Sequence, residues 1–253
     1  FSTYLYTGTG ASLTITNGID LSTKGGLVWL KNRTGIYDHW LWDTARGAGY
    51  TLRSNLSNAQ ANIGTTEGVS FTTSGFSMGN NINWNGSSLT ATSWTFREQP
   101  KFFDVVTYTG TGVARTIAHN LGSVPGFIIV KRTDAVGAWT CFHRSLANTQ
   151  FLPLNATNAA ITNTAVWNST SPTSTVFTVG TDTDVNASGG TYVAYIFAHD
   201  AGGFGLTGTD NVISCGSWTA TGGGVADVIT LGFEPQWILW KRANSTGGNW
   251  YIS

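Results

Sequence analysis

Leu27-Val28-Trp29-Leu30-Lys31-Asn32-Arg33 returns as Phe127-Ile128-Ile129-Val130-Lys131-Arg132 and again as Trp237-Ile238-Leu239-Trp240-Lys241-Arg242. Each is an apolar run closed by basic residues. Each follows a second landmark: Tyr6-Thr7-Gly8-Thr9-Gly10, Tyr108-Thr109-Gly110-Thr111-Gly112 and, more loosely, Trp218-Thr219-Ala220-Thr221-Gly222. Two landmarks in the same order three times over define a tandem array. Between them Lys31, Trp42, Leu52, Asn55, Asn58 and Ala59 lie 100 residues before Lys131, Phe142, Leu152, Asn155, Asn158 and Ala159. Phe76, Gly79 and Phe96 lie 101 before Phe177, Gly180 and Phe197. The third copy follows at 110, through Leu121-Gly122 and Pro125 against Leu231-Gly232 and Pro235. A unit of this size is a small domain, since solenoid and propeller repeats run to roughly 20–50 residues. The expected organisation is beads on a string: unit one at 1–103, unit two at 104–209 and a partial third unit at 210–253.

Within a unit the apolar period is two. Tyr4 and Tyr6, Leu13 and Ile15, and Trp94 and Phe96 alternate with Ser and Thr, the pattern of strands with one wet face. The runs at 27–30 and 127–130 are apolar throughout, as expected of strands covered on both sides. Thr23-Lys24-Gly25-Gly26, Asn85-Gly86, Ser188-Gly189-Gly190 and Gly222-Gly223-Gly224 punctuate them as turns. The best helical stretch, 57–62, is one or two turns long. The expected fold is all-β: tandem antiparallel β-sandwich domains, jelly-roll or lectin-like, with roughly seven strands per complete unit.

Composition narrows the partners. Charged residues make up 10% of the chain, against roughly a quarter in ordinary globular proteins. The 13 basic and 13 acidic residues cancel and are scattered, so no electrostatic footprint for nucleic acid is present. No window approaches the roughly 18 apolar residues of a membrane span. Cys141 and Cys215 occupy unrelated points of two units, which gives neither a disulfide framework nor a metal knuckle. No cofactor is expected.

Asp182, Asp184 and Asn186 place oxygen ligands at alternate positions, as calcium loops do, but Ala187 replaces the glycine of the sharp turn and Val193 the closing carboxylate. A polar turn is the stronger reading. Asp38 and Asp43 form the most tempting carboxylate pair for glycoside hydrolysis, yet they sit at opposite ends of a strand and have no acidic counterparts in unit two. His39, His119, His143 and His199 lie apart with no repeated acidic partner, so no catalytic residues are assigned and the chain is not expected to be an enzyme. The 11 Trp carry the recognition signal, because an indole face stacks on a sugar while Asn, Ser and Thr bond its hydroxyls. Trp29, Trp94, Trp237 and Trp240 read as core. Trp84, between Asn83 and Asn85 at a turn, is the first candidate for carbohydrate contact, followed by Trp139 and Trp250.

The Tyr-Thr-Gly-Thr-Gly opening, the Leu-Gly-x-x-Pro element, the Val-Trp-Leu-Lys-Asn-Arg or Ile-Ile-Val-Lys-Arg strand and 191–198 before an Ala-Gly-Gly joint together resemble a repeated domain of unknown function. That domain is found in tail fibre and other virion structural proteins of marine phages, including those infecting cyanobacteria. Unit one departs from it at 19–24, which lacks the Leu-Gly-x-x-Pro element, and unit three stops early. The resemblance implies a virion structural protein, as tail fibre, appendage or head decoration, contributing to host attachment. It carries no catalytic or ligand residues across. The alternative is a lectin-like carbohydrate-binding module or a polysaccharide depolymerase. Unit three holds only about four strands, half a sandwich, so Trp237, Ile238, Leu239, Trp240, Trp250 and Ile252 are expected to form one apolar surface too large to stay bare. Its expected cover is further chain beyond Ser253 or another subunit of a homo-oligomer, a trimer by analogy with phage fibres. Other virion proteins and a host-surface glycan complete the expected partners.

Overall fold

The computed structural model describes residues 1–223 and 226–253. Gly224 and Val225, on which part of an expected turn and the start of an expected strand fall, lie outside the described residues. Unit one runs β1 (Ser2–Thr7), β2 (Leu13–Thr16), β3 (Gly26–Asn32), β4 (His39–Asp43), β5 (Tyr50–Arg53), β6 (Ala61–Asn62), α1 (Gly64–Glu67), β7 (Val69–Thr72), β8 (Gly75–Met78), α2 (Ile82–Asn85) and β9 (Thr90–Arg97). Unit two runs β10 (Phe103–Thr109), β11 (Arg115–Ala118), β12 (Phe127–Arg132), β13 (Trp139–His143), β14 (Gln150–Pro153), β15 (Ile161–Thr162), α3 (Thr164–Trp167), β16 (Val176–Val179), α4 (Thr183–Asn186) and β17 (Thr191–Phe197). Two short strands follow, β18 (Leu239–Lys241) and β19 (Trp250–Ile252).

The architecture is all-β and antiparallel, as the period of two requires. One six-stranded sheet has the order β1-β9-β3-β4-β5-β6 and the other β10-β17-β12-β13-β14-β15, so the two strand orders coincide position for position. Facing them are smaller sheets, β2-β8-β7 in unit one and β11-β16 in unit two. The landmarks fall on matching strands: Val28 and Ile128 on β3 and β12, Phe76 and Phe177 on β8 and β16, Phe96 and Phe197 on β9 and β17. The stretch at 57–62 forms no helix; Ala61–Asn62 is the edge strand β6, and the helices present are single turns. Among the described residues no helix is long and apolar enough to cross a membrane.

Because side chains alternate across a strand, each large sheet has two faces to bury. In unit one Val28, Leu30, Trp42, Ile15, Phe76 and Trp84 form the inter-sheet core. In unit two Ile128, Val130, Phe142, Ile117 and Phe177 do the same. The opposite faces meet each other. Leu27, Trp29, Leu41, Trp94 and Phe96 of unit one share a single core with Phe103, Phe127, Ile129, Trp139, Tyr195 and Phe197 of unit two, and Trp237, Leu239, Trp250 and Ile252 of the third segment pack against it. The beads-on-a-string expectation is corrected accordingly: strands apolar at every position have their second cover in the neighbouring unit. Phe103, placed at the end of unit one, opens β10 of unit two.

Candidate functional site

The Tyr-Thr-Gly-Thr-Gly landmark is a structural lock. Tyr6 donates its hydroxyl to the Trp84 carbonyl at 2.8 Å, and Tyr108 does the same to Val185 at 2.7 Å. Gly8 and Gly110 let the chain pass so near the Gly86 and Ala187 carbonyl oxygens that any Cβ there would collide with them. The next residue then reaches a fully buried asparagine: Thr9 N–H donates to Asn85 Oδ1 and Thr111 N–H to Asn186 Oδ1. The same two amides donate through Nδ2 to Ala11 and Gly79 in unit one and to Val113 and Gly180 in unit two. Each buried amide is thus satisfied threefold.

The Asp182 loop does equivalent work. Asp182 caps α4 by accepting from the Asp184 N–H at 2.8 Å and also accepts from Asn163 Nδ2. Asp184 accepts from the Ala138 N–H, and Asn186 is the buried lock just described. Asn81 caps α2 in the same way in unit one. Among the described residues no three His, Cys, Asp or Glu side chains are gathered as a metal site would need.

The carboxylate pair is split. Asp38 pairs with Arg53 at 3.2 Å and accepts from Asn55, near the surface. Asp43 is fully buried at the seam between units, bonded to Arg46 at 2.6 Å and accepting from the Tyr195 hydroxyl at 2.7 Å. Glu98 lies nearby, and burial together with the charges of Asp104 and Asp43 raises its carboxyl to about 7. His143 accepts from the Ser145 N–H, and burial, with Arg144 and His199 adding to it, lowers its imidazole to about 4.

Two of the three tryptophan candidates are corrected. Trp84 is 1% exposed, with its ring edge-on to Trp42 at 5.0 Å and to Trp40 at 4.9 Å. Trp139 is fully buried. Neither offers a face to a sugar. Trp250 is half-buried, its ring 6.2 Å from Phe127 and 5.9 Å from the Lys241 ammonium.

What these residues hold instead is a seam made twice. The first joins unit two to the 53–60 loop of unit one. Trp139 Nε1 donates to the Arg53 and Leu56 carbonyls, Lys131 Nζ and Gly137 N to Ser57, and Gln60 N to Thr133. The second joins the third segment to the 153–160 loop of unit two. Trp250 Nε1 donates to Pro153, Lys241 Nζ to Ala156, Gly247 N to Thr157, and Ala160 N to Ala243. Burial lowers the Lys131 ammonium to about 8 while Asp184 partly restores it. In unit one His39 stands where the docking tryptophan would be and accepts from Trp29 Nε1, while Lys31 turns to the Tyr37 carbonyl.

The exposed aromatics lie elsewhere. Trp237 is drawn into the shared core, 5.2 Å from Phe96 and 6.1 Å from Phe197, whereas Ile238, Trp240 and Tyr251 on the other face of the β18-β19 pair are 42%, 36% and 46% exposed. Trp240 stacks on Tyr251 at 4.3 Å and meets Trp218 at 6.2 Å. Beside them Trp218, Thr221, Asp227 and Ile229 line a groove of about 300 Å³. The expectation that Trp240 is core, and that all six apolar residues share one surface, is therefore revised: strand alternation divides them. By the register of unit two, Trp240 takes the inner-face position of Val130, opposite the side on which Trp237 and Leu239 meet the shared core.

No curated protein and no solved structure matches the chain significantly. One family model, described as a domain of unknown function (DUF7483), matches residues 1–253, and its span takes in both large sheets, both seams and the exposed aromatic face. The chain therefore belongs to the DUF7483 family.

Proposed function

We propose that this protein is a structural component of a virus particle, a tail fibre, appendage or head decoration, whose β-sandwich units serve assembly and host-surface attachment. The observation that carries this reading is the seam used twice. Titratable and polar groups that chemistry would need are spent on joining units through backbone carbonyls. Such contacts depend on chain shape more than on side-chain identity, which suits a part built by repetition. The role needs no catalysis. A homotrimer is the less economical form of the proposal, because three segments of one chain already meet at one aromatic core; association with other virion proteins suffices. Mass spectrometry of purified particles and gold labelling with an antibody to this chain test it. Localisation on the particle is the expected result, and absence from particles in which the gene is expressed would refute it.

A sugar-binding role is favoured by one observation, the exposed Trp218, Trp240 and Tyr251 rings beside the polar groups of Thr221 and Asp227. A glycan array with the native chain and a Trp240→Ala variant tests that reading.

A further inference from the structure

The two asparagine locks have different neighbours. Asn85 ends the single turn α2 and is followed by Gly86, whereas Asn186 ends α4 and is followed by Ala187. Asn17 and Asn85 are the two asparagines of this chain that precede a glycine. An asparagine in that position is the readiest to close on its own backbone, because glycine has no side chain to keep its amide nitrogen from the asparagine Cγ. Asn17 lies in a surface turn, its amide bonded to the Ile19 N–H and the Thr95 hydroxyl. At Asn85 the reacting amide is held on every side. Its Oδ1 accepts from the Thr9 N–H at 3.0 Å, its Nδ2 donates to the Ala11 and Gly79 carbonyls, and the side chain is fully buried away from water. Its backbone is helical, and a five-membered ring needs Cβ and the Gly86 nitrogen nearly eclipsed about the Cα–C bond, so α2 must unwind before the ring can close.

From this contrast we propose that Asn85–Gly86 is a latent modification site, a deamidation point that the closed lock shields and that opening of unit one activates. The Gly86 N–H proton passes to hydroxide, the nitrogen electron pair forms a bond to Asn85 Cγ, and Nδ2 leaves as ammonia with a proton from water. Water then opens the cyclic imide at either carbonyl. The product is an aspartate, or an isoaspartate whose backbone is one carbon longer. Neither fits the lock. A carboxylate has no hydrogen to donate, so the Ala11 and Gly79 carbonyls lose their partners and face a buried negative charge. The isoaspartate also shifts Gly86, whose carbonyl oxygen Gly8 passes with no room for a Cβ. A unit modified while open therefore cannot reclose, and its opening runs one way. In unit two the Ala187 methyl stands beside the attacking nitrogen, so the same lock can open and close without chemical loss. The site follows from the two locks and stands apart from the virion role.

The test uses the full chain in mildly alkaline buffer, folded or unfolded in guanidinium chloride, with peptide mapping by mass spectrometry to follow the amide-to-acid change at each asparagine. In guanidinium Asn85 should convert about as fast as Asn17 and at least tenfold faster than Asn186. In the folded chain its conversion should be at least a hundredfold slower. Gly86→Ala, which copies the residue after Asn186, should slow the conversion in guanidinium at least tenfold, a reading that does not require the variant to fold. Asn85→Asp, which installs the product directly, should leave the Thr9 amide exchanging at least tenfold faster than in the native chain, and unfolding of that variant counts as the same loss. Equal conversion of Asn85 in the folded and unfolded chain, equal conversion of Asn85 and Asn186 in guanidinium, or full protection of the Thr9 amide in Asn85→Asp would each overturn the inference.

Discussion

Tyr108-Thr109-Gly110-Thr111-Gly112 and Trp218-Thr219-Ala220-Thr221-Gly222 are copies of one motif, yet the first lies in and just beyond a seven-residue strand and the second is irregular. Their β-propensities are alike. The difference lies in the partner. Tyr108 has β17 alongside, Val185 to accept its hydroxyl and the Tyr192 ring stacked at 5.1 Å. Trp218 has none of these and leans on Trp240. A strand is a property of a pair, and among the described residues 217–222 are paired with none.

The sharpest way to break this comparison is to truncate both rings. Tyr108→Ala should destabilise the chain by about 3–5 kcal/mol, the range for a large buried aromatic, whereas Trp218→Ala should stay within about 0.5 kcal/mol, as exposed positions do. Equal losses in denaturant titrations would mean that the third segment is as well packed as unit two. The two seams give a second contrast. Trp139→Ala should cost about 3–5 kcal/mol, because the ring is enclosed and its N–H serves two carbonyls. Trp250→Ala should cost only about 1–2 kcal/mol, for a half-exposed ring with one such bond. Reversal of that order would show the third segment, and not the seam between complete units, to be the keystone.

The buried amides come next. Asn186→Ala leaves the Thr111 N–H and two carbonyls without partners and should cost about 2–3 kcal/mol. Asn85→Ala should cost the same if the two locks are equivalent, and a difference above about 1 kcal/mol between them would separate the units energetically.

The smallest effect is a pH dependence with two arms. The imidazoles of His39 and His143 are lowered to about 4 from an ordinary 6.5, burial being the main cause. The unfolded chain then binds more protons, so stability is lost as pH falls from about 6.5 toward 4. Glu98 is raised to about 7 from 4.5, so the folded chain binds the proton more tightly and stability is lost as pH rises between those values. His143→Gln should reduce the acid arm to the part His39 contributes, and Glu98→Gln should flatten the alkaline one, in melting temperatures measured from pH 4 to 8. An alkaline arm unchanged in Glu98→Gln would show that the seam tolerates the charge.

Much of the fold was legible in the chain because it rests on local chemistry. The period of two, the glycine turns and the recurring landmarks dictated antiparallel strands recurring in each unit, and Val28, Leu30, Phe76 and Phe96 could be named as core from spacing. The indoles could not be placed in this way. Trp84, flanked by Asn83 and Asn85, has the sequence surroundings of an exposed turn, yet those polar neighbours cap a single helical turn whose other face closes the sandwich. Trp139 looks like the start of an edge strand until a loop more than eighty residues earlier presents two carbonyls to it. Asn85 and Asn186, which give the Thr-Gly motif its meaning, lie more than seventy residues from the Thr9 and Thr111 N–H groups they accept from and carry no local mark. Sequence by itself determined most strands of the two complete units, because alternation and turn residues act over a few positions, whereas 217–222 has the motif and forms no strand. Only the tertiary structure decided which face of each sheet meets a neighbouring unit and which rings stay in water, because burial depends on surfaces brought together from distant parts of the chain.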